Sequence, residues 1–451
     1  MIIKIPEPQA VLFSVFGKIV TIAIVDLHEG VDFMAGPLDY LRWRGDFSFS
    51  EQAFNSVDAS LFASLVYLPV DPSAEGHTLK EVAERLHDLP SFQNQMHDET
   101  GTEIWLLPVS PRLGNVEILN WTTRMEKEPY PLQFSAATFR LDDHTILISY
   151  RGTDSSMIGW NEDMNMNYMP EVYGQNVAAQ YLEKIAQEYP DDKIFIVGHS
   201  KGGNFAQYAL SAVDADIQDK IIRAISFDGP GFYHQVYHSP GFKRSIKKMK
   251  TYLPEGSIIG TMLDHPERVV IVKSEVPMQH QHDPRRWSVA RNSFVLADGL
   301  TVGARILRHS LINFNHSIPD AKRGETFAAL FDAFENSDIN DVNQLFSHKL
   351  VGTYRLGRIL MSLDPDQRKI LTSMFTDIWN TYRNNLPFGD GGEFKHYPKS
   401  NDSKHFPIFF EFYDTDQPAS KLAAELSHQR KQERKKHKKK DKKRHNHKKR
   451  H

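Results

Sequence analysis

The chain has 451 residues, 40% of them apolar and 25% charged, no cysteine, and a formal charge of −3. That apolar content suffices for a large buried core, and the missing cysteine excludes disulfides, a thiol nucleophile and cysteine-ligated zinc or iron–sulfur centres. The near-neutral total hides an asymmetry: Arg430 to His451 carries 14 Lys/Arg against Glu433 and Asp441, so a body of −15 is joined to a tail of +12.

Residues 1–36 read as an N-terminal extension. Its apolar stretch, Val11 to Val25, is interrupted by Lys18 and is too short to span a bilayer. No small-residue cleavage site follows, so one or two β-type segments are expected, with a cytoplasmic location as the default and peripheral membrane attachment as the variant. The body begins near Asp39-Tyr40-Leu41. Apolar residues at 57, 61, 62 and 65 have helical spacing behind Asn55 or Ser56 as N-cap, and Thr78 to Leu86 reads as a second helix.

Phe134–Leu141 and Thr145–Tyr150, separated by Asp142-Asp143-His144, predict a hairpin. Arg151-Gly152-Thr153 follows it. The stretch from Asp154 to Gly174 sets Met157, Trp160, Met164, Met166 and Met169 among Asn and acidic residues. It reads as a loop with an adaptable apolar surface, serving either as a cover over the site or as part of the core. An amphipathic helix is expected from Ala178 to Tyr189.

Next comes Ile194-Phe195-Ile196-Val197, then Gly198-His199-Ser200-Lys201-Gly202-Gly203, then an amphipathic run to Leu210. This is G-x-S-x-G between a strand and a helix, the context in which a serine sits on a sharp turn with its hydroxyl above the sheet edge. Further strand candidates are Ile221–Phe227, ending in Asp228-Gly229-Pro230-Gly231, then Ser257–His265 and Val269–Val272; Phe242–Tyr252 reads as helical. The alternation argues an α/β fold with a mostly parallel sheet covered by helices. After residue 318 the pattern turns helical, in Pro319–Phe334, Val342–Leu360 and Asp364–Asn385.

A serine needs a base, and the base needs an orienting acid. In α/β-hydrolases the chain order is Ser, acid, His. Downstream of Ser200, Asp264 ends one strand candidate and His282 follows the next, with His280 two residues away. The N–H of Lys201 at the new helix start, together with Thr153 after Gly152, fits an oxyanion hole. This chemistry requires no metal or organic cofactor.

Ser149-Tyr150-Arg151-Gly152-Thr153-Asp154, Gly198-His199-Ser200-Lys201-Gly202-Gly203 and a distal His followed by Trp together resemble the class 3 lipase pattern of the α/β-hydrolase superfamily. Four stretches resemble the bacterial Mbeg1-like family more closely: Tyr40–Ser50, Gly159–Met166, Asp228–Gly231 and Gln281–Trp287. The resemblance covers roughly 38–380. It implies a serine hydrolase of esters of lipid or acyl substrates, with Ser200, Asp264 and His282 as the catalytic set, Thr153 and Lys201 as oxyanion donors, and a lid after Thr153. It favours His282 over His280. Lys201 stands where these lipases commonly have leucine, and Glu275 and Asp283 rival Asp264 as the acid. A thioesterase or peptidase on the same residues, or a non-enzymatic binding protein with this fold, are the alternatives.

The expected organisation is an extension over 1–36, a lipase-like domain over 37–388 that includes the C-terminal helices, a loop-like connection over 389–428, and a disordered basic tail over 429–451. The tail lacks aromatics, which disfavours nucleic-acid binding; an anionic lipid surface, a polyanion or the chain's own acidic body are its alternative partners, beside a purely solubilising role.

Overall fold

The protein is described by a computed structural model that covers residues 11–15, 18–22, 35–88, 99–337, 339, 341 and 349–384. The connection over 389–428 and the basic tail lie outside the described residues.

Seven strands form the central sheet in sequence order: β3 (Glu117–Glu126), β4 (Leu132–Asp142), β5 (Thr145–Tyr150), β6 (Lys193–His199), β7 (Ile221–Phe227), β8 (Met249–Pro254) and β9 (Arg268–Val272). Strands β3 to β5 pair antiparallel and β5 to β9 parallel. The hairpin expected at 134–150 is β4 and β5. In the extension, β1 (Val11–Val15) and β2 (Lys18–Ile22) pair as a separate hairpin.

The sheet is covered on both faces, and the period-2 alternation of the strands shows it. Along β4, Phe134 and Ala136 belong to one buried cluster and Ala137 and Phe139 to the other; along β6, Ile194 and Ile196 face one way and Val197 the other. Strands buried on both faces read as near-continuous apolar runs. One face is covered by α1 (Pro37–Arg44), α2 (Ser56–Leu65), α3 (Leu79–His87) and α4 (Glu99–Leu106); α2 lays Phe62 on Phe139 with ring centres 5.1 Å apart. The other face carries α6 (Tyr173–Glu188) and α7 (Lys201–Ala212), through residues such as Leu182, Ile185, Phe205 and Leu210. This is the α/β-hydrolase architecture.

Three expectations are corrected. The stretch after Thr153 is not a loop but contains helix α5 (Met157–Asn165), started by the Ser156 hydroxyl accepting from the Gly159 N–H. Phe242–Tyr252 is split: a short helix, Pro240–Ser245, hands over to strand β8, whose six residues are all buried against β7 and β9. Ser257–His265 holds a 3-10 turn, Ile259–Thr261, where a strand was expected. Ile258 and Ile259 attracted that reading by β propensity alone, but β8 already occupies the place in the sheet beside β9. Of the helices read after residue 318, α9 (Asp320–Glu335), α10 (Lys349–Ser362) and α11 (Pro365–Asn384) are present, preceded by α8 (Val302–Ser317), and the expected helical stretch over 342–348 lies outside the described residues.

The layer of α1 and α2 is held by a buried ion pair. Arg112 meets Asp58 twice, Nε to Oδ1 at 2.7 Å and Nη2 to Oδ2 at 2.6 Å, with both side chains fully buried. Tyr40 donates to Asp58 as well, and Asn55 caps α2 while taking its own N–H to Asp58. Taking away one partner leaves the other charge uncompensated in the interior. Arg112→Met is therefore expected to cost about 3–5 kcal/mol, and the double variant Arg112→Met/Asp58→Asn distinctly less. Urea denaturation of the three proteins checks this; equal losses in the single and double variants would refute it.

Candidate active site

Ser200 stands between β6 and α7 with φ 56° and ψ −133°. A non-glycine residue in this region costs on the order of 1–3 kcal/mol and persists only where its surroundings enforce it. Here they do. A Cβ on Gly198 would lie 2.1 Å from the Gly202 carbonyl oxygen, and one on Gly202 would lie 2.1 Å from the Tyr150 carbonyl oxygen. Only glycine at both places lets the turn close so tightly onto β5. Serine is a favoured helix N-cap, yet the Ser200 hydroxyl caps nothing. The turn is instead held by the Ser200 N–H donating to Phe227 at 3.0 Å.

Parallel register brings the ends of β5, β6 and β7 to one edge: Tyr150 lies opposite Gly198, and His199 opposite Phe227. The residues that follow these strands are therefore neighbours. Gly152 packs against Ser200, because a Cβ there would lie 2.9 Å from the serine Cβ. Asp228 follows Phe227 directly, itself at φ 49° and fully buried.

The carboxylate of Asp228 receives His282: Nδ1 lies 2.7 Å from Oδ2. The other oxygen, Oδ1, accepts from the Ser257 hydroxyl at 2.5 Å and the Gly260 N–H at 3.2 Å. With Nδ1 on the carboxylate, Nε2 is the ring nitrogen left for a reacting group. Among the described residues no hydrogen bond joins the Ser200 hydroxyl to His282; such contacts often tighten only once substrate is bound.

The carboxylate that meets His282 is therefore Asp228 and not Asp264, where the sequence placed it. Asp264 forms an isolated backbone bridge with Phe232, and its carboxylate meets the Tyr237 hydroxyl at 3.3 Å. Neither rival takes its place on His282 Nδ1. Asp283 is gripped by Arg285 through several bonds of 2.9 to 3.2 Å, and these hold its carboxyl below the ordinary range despite burial. His280 is exposed, whereas His282 faces the acid. Sequence reasoning missed Asp228 although the signal was present: a carboxylate immediately after the strand beside the nucleophile strand.

The oxyanion candidates are also placed. Lys201 opens α7, where the first backbone N–H groups have no partner within the helix. Thr153 donates its hydroxyl to Asp163 Oδ2 at 2.6 Å. Two further residues, Tyr67 and His199, join the parts. The Tyr67 hydroxyl accepts the Gly152 N–H at 2.9 Å and lies 3.0 Å from His199 Nδ1, while His199 Nε2 lies 2.7 Å from the His282 carbonyl. Burial pushes the His199 imidazole down to about 3, aided by the nearby His282 charge. The ring is therefore neutral: Nε2–H donates to the carbonyl and Nδ1 accepts from the tyrosine. A cleft of about 370 Å³ opens beside His282, bordered by Tyr67, His199, His280, Asp283, Arg285 and Arg286.

Asp163 yields a pH prediction. Burial raises its pKa to about 6 against the opposing pull of Lys201. The folded protein therefore holds this proton more tightly than the unfolded chain, whose aspartate titrates near about 4, and stability falls as pH rises from about 4 to about 6. Asp163→Asn is expected to gain stability relative to wild type across that window and to show no further relative gain above it. Thermal melts at pH 4, 6 and 8 test the sign; a stability difference between variant and wild type that is the same at pH 4 and pH 6, or that shrinks between them, would contradict it.

No curated protein matches the chain. Among solved structures, M37 lipase aligns at 16% identity and TM-score 0.30, over 46% of this chain and 69% of its own. The Rhizomucor miehei lipase propeptide complex aligns at 15% and 0.29 over 43% of this chain and 66% of that lipase, and lipase II from Rhizopus niveus at 14% and 0.29 over 44% and 81%. Likenesses this low add nothing to what the sheet order already shows. The model of the Mbeg1-like family, by contrast, matches residues 107–332, from the turn before β3 to within α9 and including the serine turn, Asp228 and His282. The chain belongs to the Mbeg1-like family.

Proposed function

We propose that the protein is a serine hydrolase that cleaves carboxylic esters of acyl or lipid substrates through an acyl-enzyme on Ser200. The observation that carries this reading is the pairing of His282 with the buried Asp228 at the sheet edge where Ser200 is held strained and uncapped. In the proposed reaction, His282 Nε2 takes the hydroxyl proton as Ser200 Oγ bonds to the ester carbonyl carbon. The imidazolium so formed is stabilised by Asp228, then returns the proton to the leaving alcohol as the ester C–O bond breaks. The N–H groups of Lys201 and Thr153 hold the oxyanion, each such donor being typically worth about 3–4 kcal/mol. Water, activated by the same histidine, releases the acid.

A fluorophosphonate probe tests the reading. Wild type is expected to be labelled, Ser200→Ala not at all. Asp228→Asn is expected to lose about three to four orders of magnitude in kcat on nitrophenyl esters by presenting the wrong imidazole tautomer, whereas Asp264→Asn stays near wild type. Equal losses in the two aspartate variants would remove Asp228 from its role, and wild type that resists labelling would favour a binding protein.

The +12 tail supports a second element of the proposal, attachment to an anionic surface. Deleting 430–451 is expected to leave turnover of a soluble ester unchanged and to abolish salt-sensitive sedimentation with anionic vesicles. Unaltered sedimentation would refute it. No helix among the described residues is long and apolar enough to cross a membrane.

A further inference from the structure

Helix α5 follows the oxyanion turn directly and occupies the place where the class 3 lipase resemblance implies a lid. Its attachments are unlike those of a moving cover. The Lys201 ammonium is buried, its side chain 1% exposed, and reaches Glu162 Oε2 at 2.7 Å, Gln133 Oε1 at 3.0 Å and Asp163 Oδ1 at 3.7 Å. Glu162 is buried to the same degree. Its Oε1 accepts the Gly174 N–H at the start of α6 and its Oε2 the Gln133 N–H on β4. Asp163, the next residue, holds the Thr153 hydroxyl. One lysine, adjacent to the nucleophile, thus ties together α7, β4, α5 and, through the two carboxylates, α6 and the oxyanion residue.

The outer side of α5 is secured as well. Met157 packs with Phe334, Ile339 and Ile359, and Met164 lies in the cluster of Phe314, Phe327, Leu363 and Leu371. Met157 and Met164 thus pack with the C-terminal helices, while Met166 lies in the core cluster beneath α6 and α7. For α5 to swing open, the Lys201–Glu162 pair would have to separate inside the protein, leaving a buried charge without its counter-ion. The same motion would withdraw Asp163 from Thr153.

We infer that α5 is a fixed wall of the site and that Lys201 acts through Glu162 and Asp163 as a positioning residue for Thr153, so that the enzyme turns over esters dissolved as monomers without requiring a lipid–water interface. The inference rests on the hydrolase reading above, and the experiment separates the two. Full-length protein is assayed on tributyrin titrated through its solubility limit. Wild type is expected to saturate smoothly, with less than about a twofold change in rate at the limit. A jump of about fivefold or more would overturn the fixed wall while leaving the hydrolase intact; absence of any hydrolysis or probe labelling would remove both.

Positioning is read from two variants. Lys201→Met is expected to lower kcat by about ten- to a hundredfold with KM little altered, and to lower the melting temperature because Glu162 is left unpaired. Lys201→Met/Glu162→Met removes both buried charges and is expected to recover the melting temperature but not kcat. Recovery of kcat together with stability would show that the lysine only supports the fold.

Discussion

The site depends on how closely the turn at Ser200 approaches strand β5. The Gly202 backbone lies against the Tyr150 carbonyl and the Gly198 backbone against Gly202, at separations no Cβ could share. That approach drives Ser200 into a conformation serine otherwise avoids, and it sets the turn at Gly152 against Ser200. The free energy comes from the sheet: β5, β6 and β7 are buried on both faces, and their parallel ladder leaves the turn little freedom to relax. Strain at Ser200 is thus maintained by apolar packing remote from its hydroxyl.

Around that turn the interior contains several ionised or strongly polar groups, each tied to a partner on another element. Asp228 from β7 meets His282 from the segment after β9; Lys201 from α7 meets Glu162 from α5; Asp58 from α2 meets Arg112. Buried pairs of this kind add little net stability but penalise heavily any arrangement that separates them. They therefore select one relative placement of elements that apolar contacts alone would leave free to slide. The neutral chain from Gly152 through Tyr67 and His199 to the His282 carbonyl does the same without charge, linking the turn after β5 to the backbone at His282.

Much of this was legible in the chain. The hairpin of β4 and β5, the strand–Ser200–helix turn, strand β7 and the C-terminal helices carry local signals: period-2 apolar runs, paired glycines, and apolar residues three and four apart. Asn55 reads as a cap because a short polar side chain before an apolar helical run has few better uses. Errors arose where a local signal was weak or ambiguous. Residues 242–252 cover a short helix and then a strand, so one periodicity could not describe both. Ser257–His265 has β-branched residues but no free neighbour in the sheet.

The sequence by itself determined the fold class and singled out Ser200 and His282 as the proposed nucleophile and its histidine, because each is marked by residues adjacent in the chain or by a resemblance carried in short motifs. Tertiary structure alone decided which carboxylate meets His282 and that the segment after Thr153 contains a helix. Asp228 and Asp264 are equally downstream of the serine, and only the order of strands across the sheet puts Asp228 beside His282, 54 residues away in sequence. Likewise the methionines of 157–166 are compatible with a mobile cover or with core. What holds α5 to the sheet is the Lys201–Glu162 pair, whose members lie 39 residues apart and meet only after the chain has folded, since a buried charge constrains structure through its partner and the partner is remote in sequence.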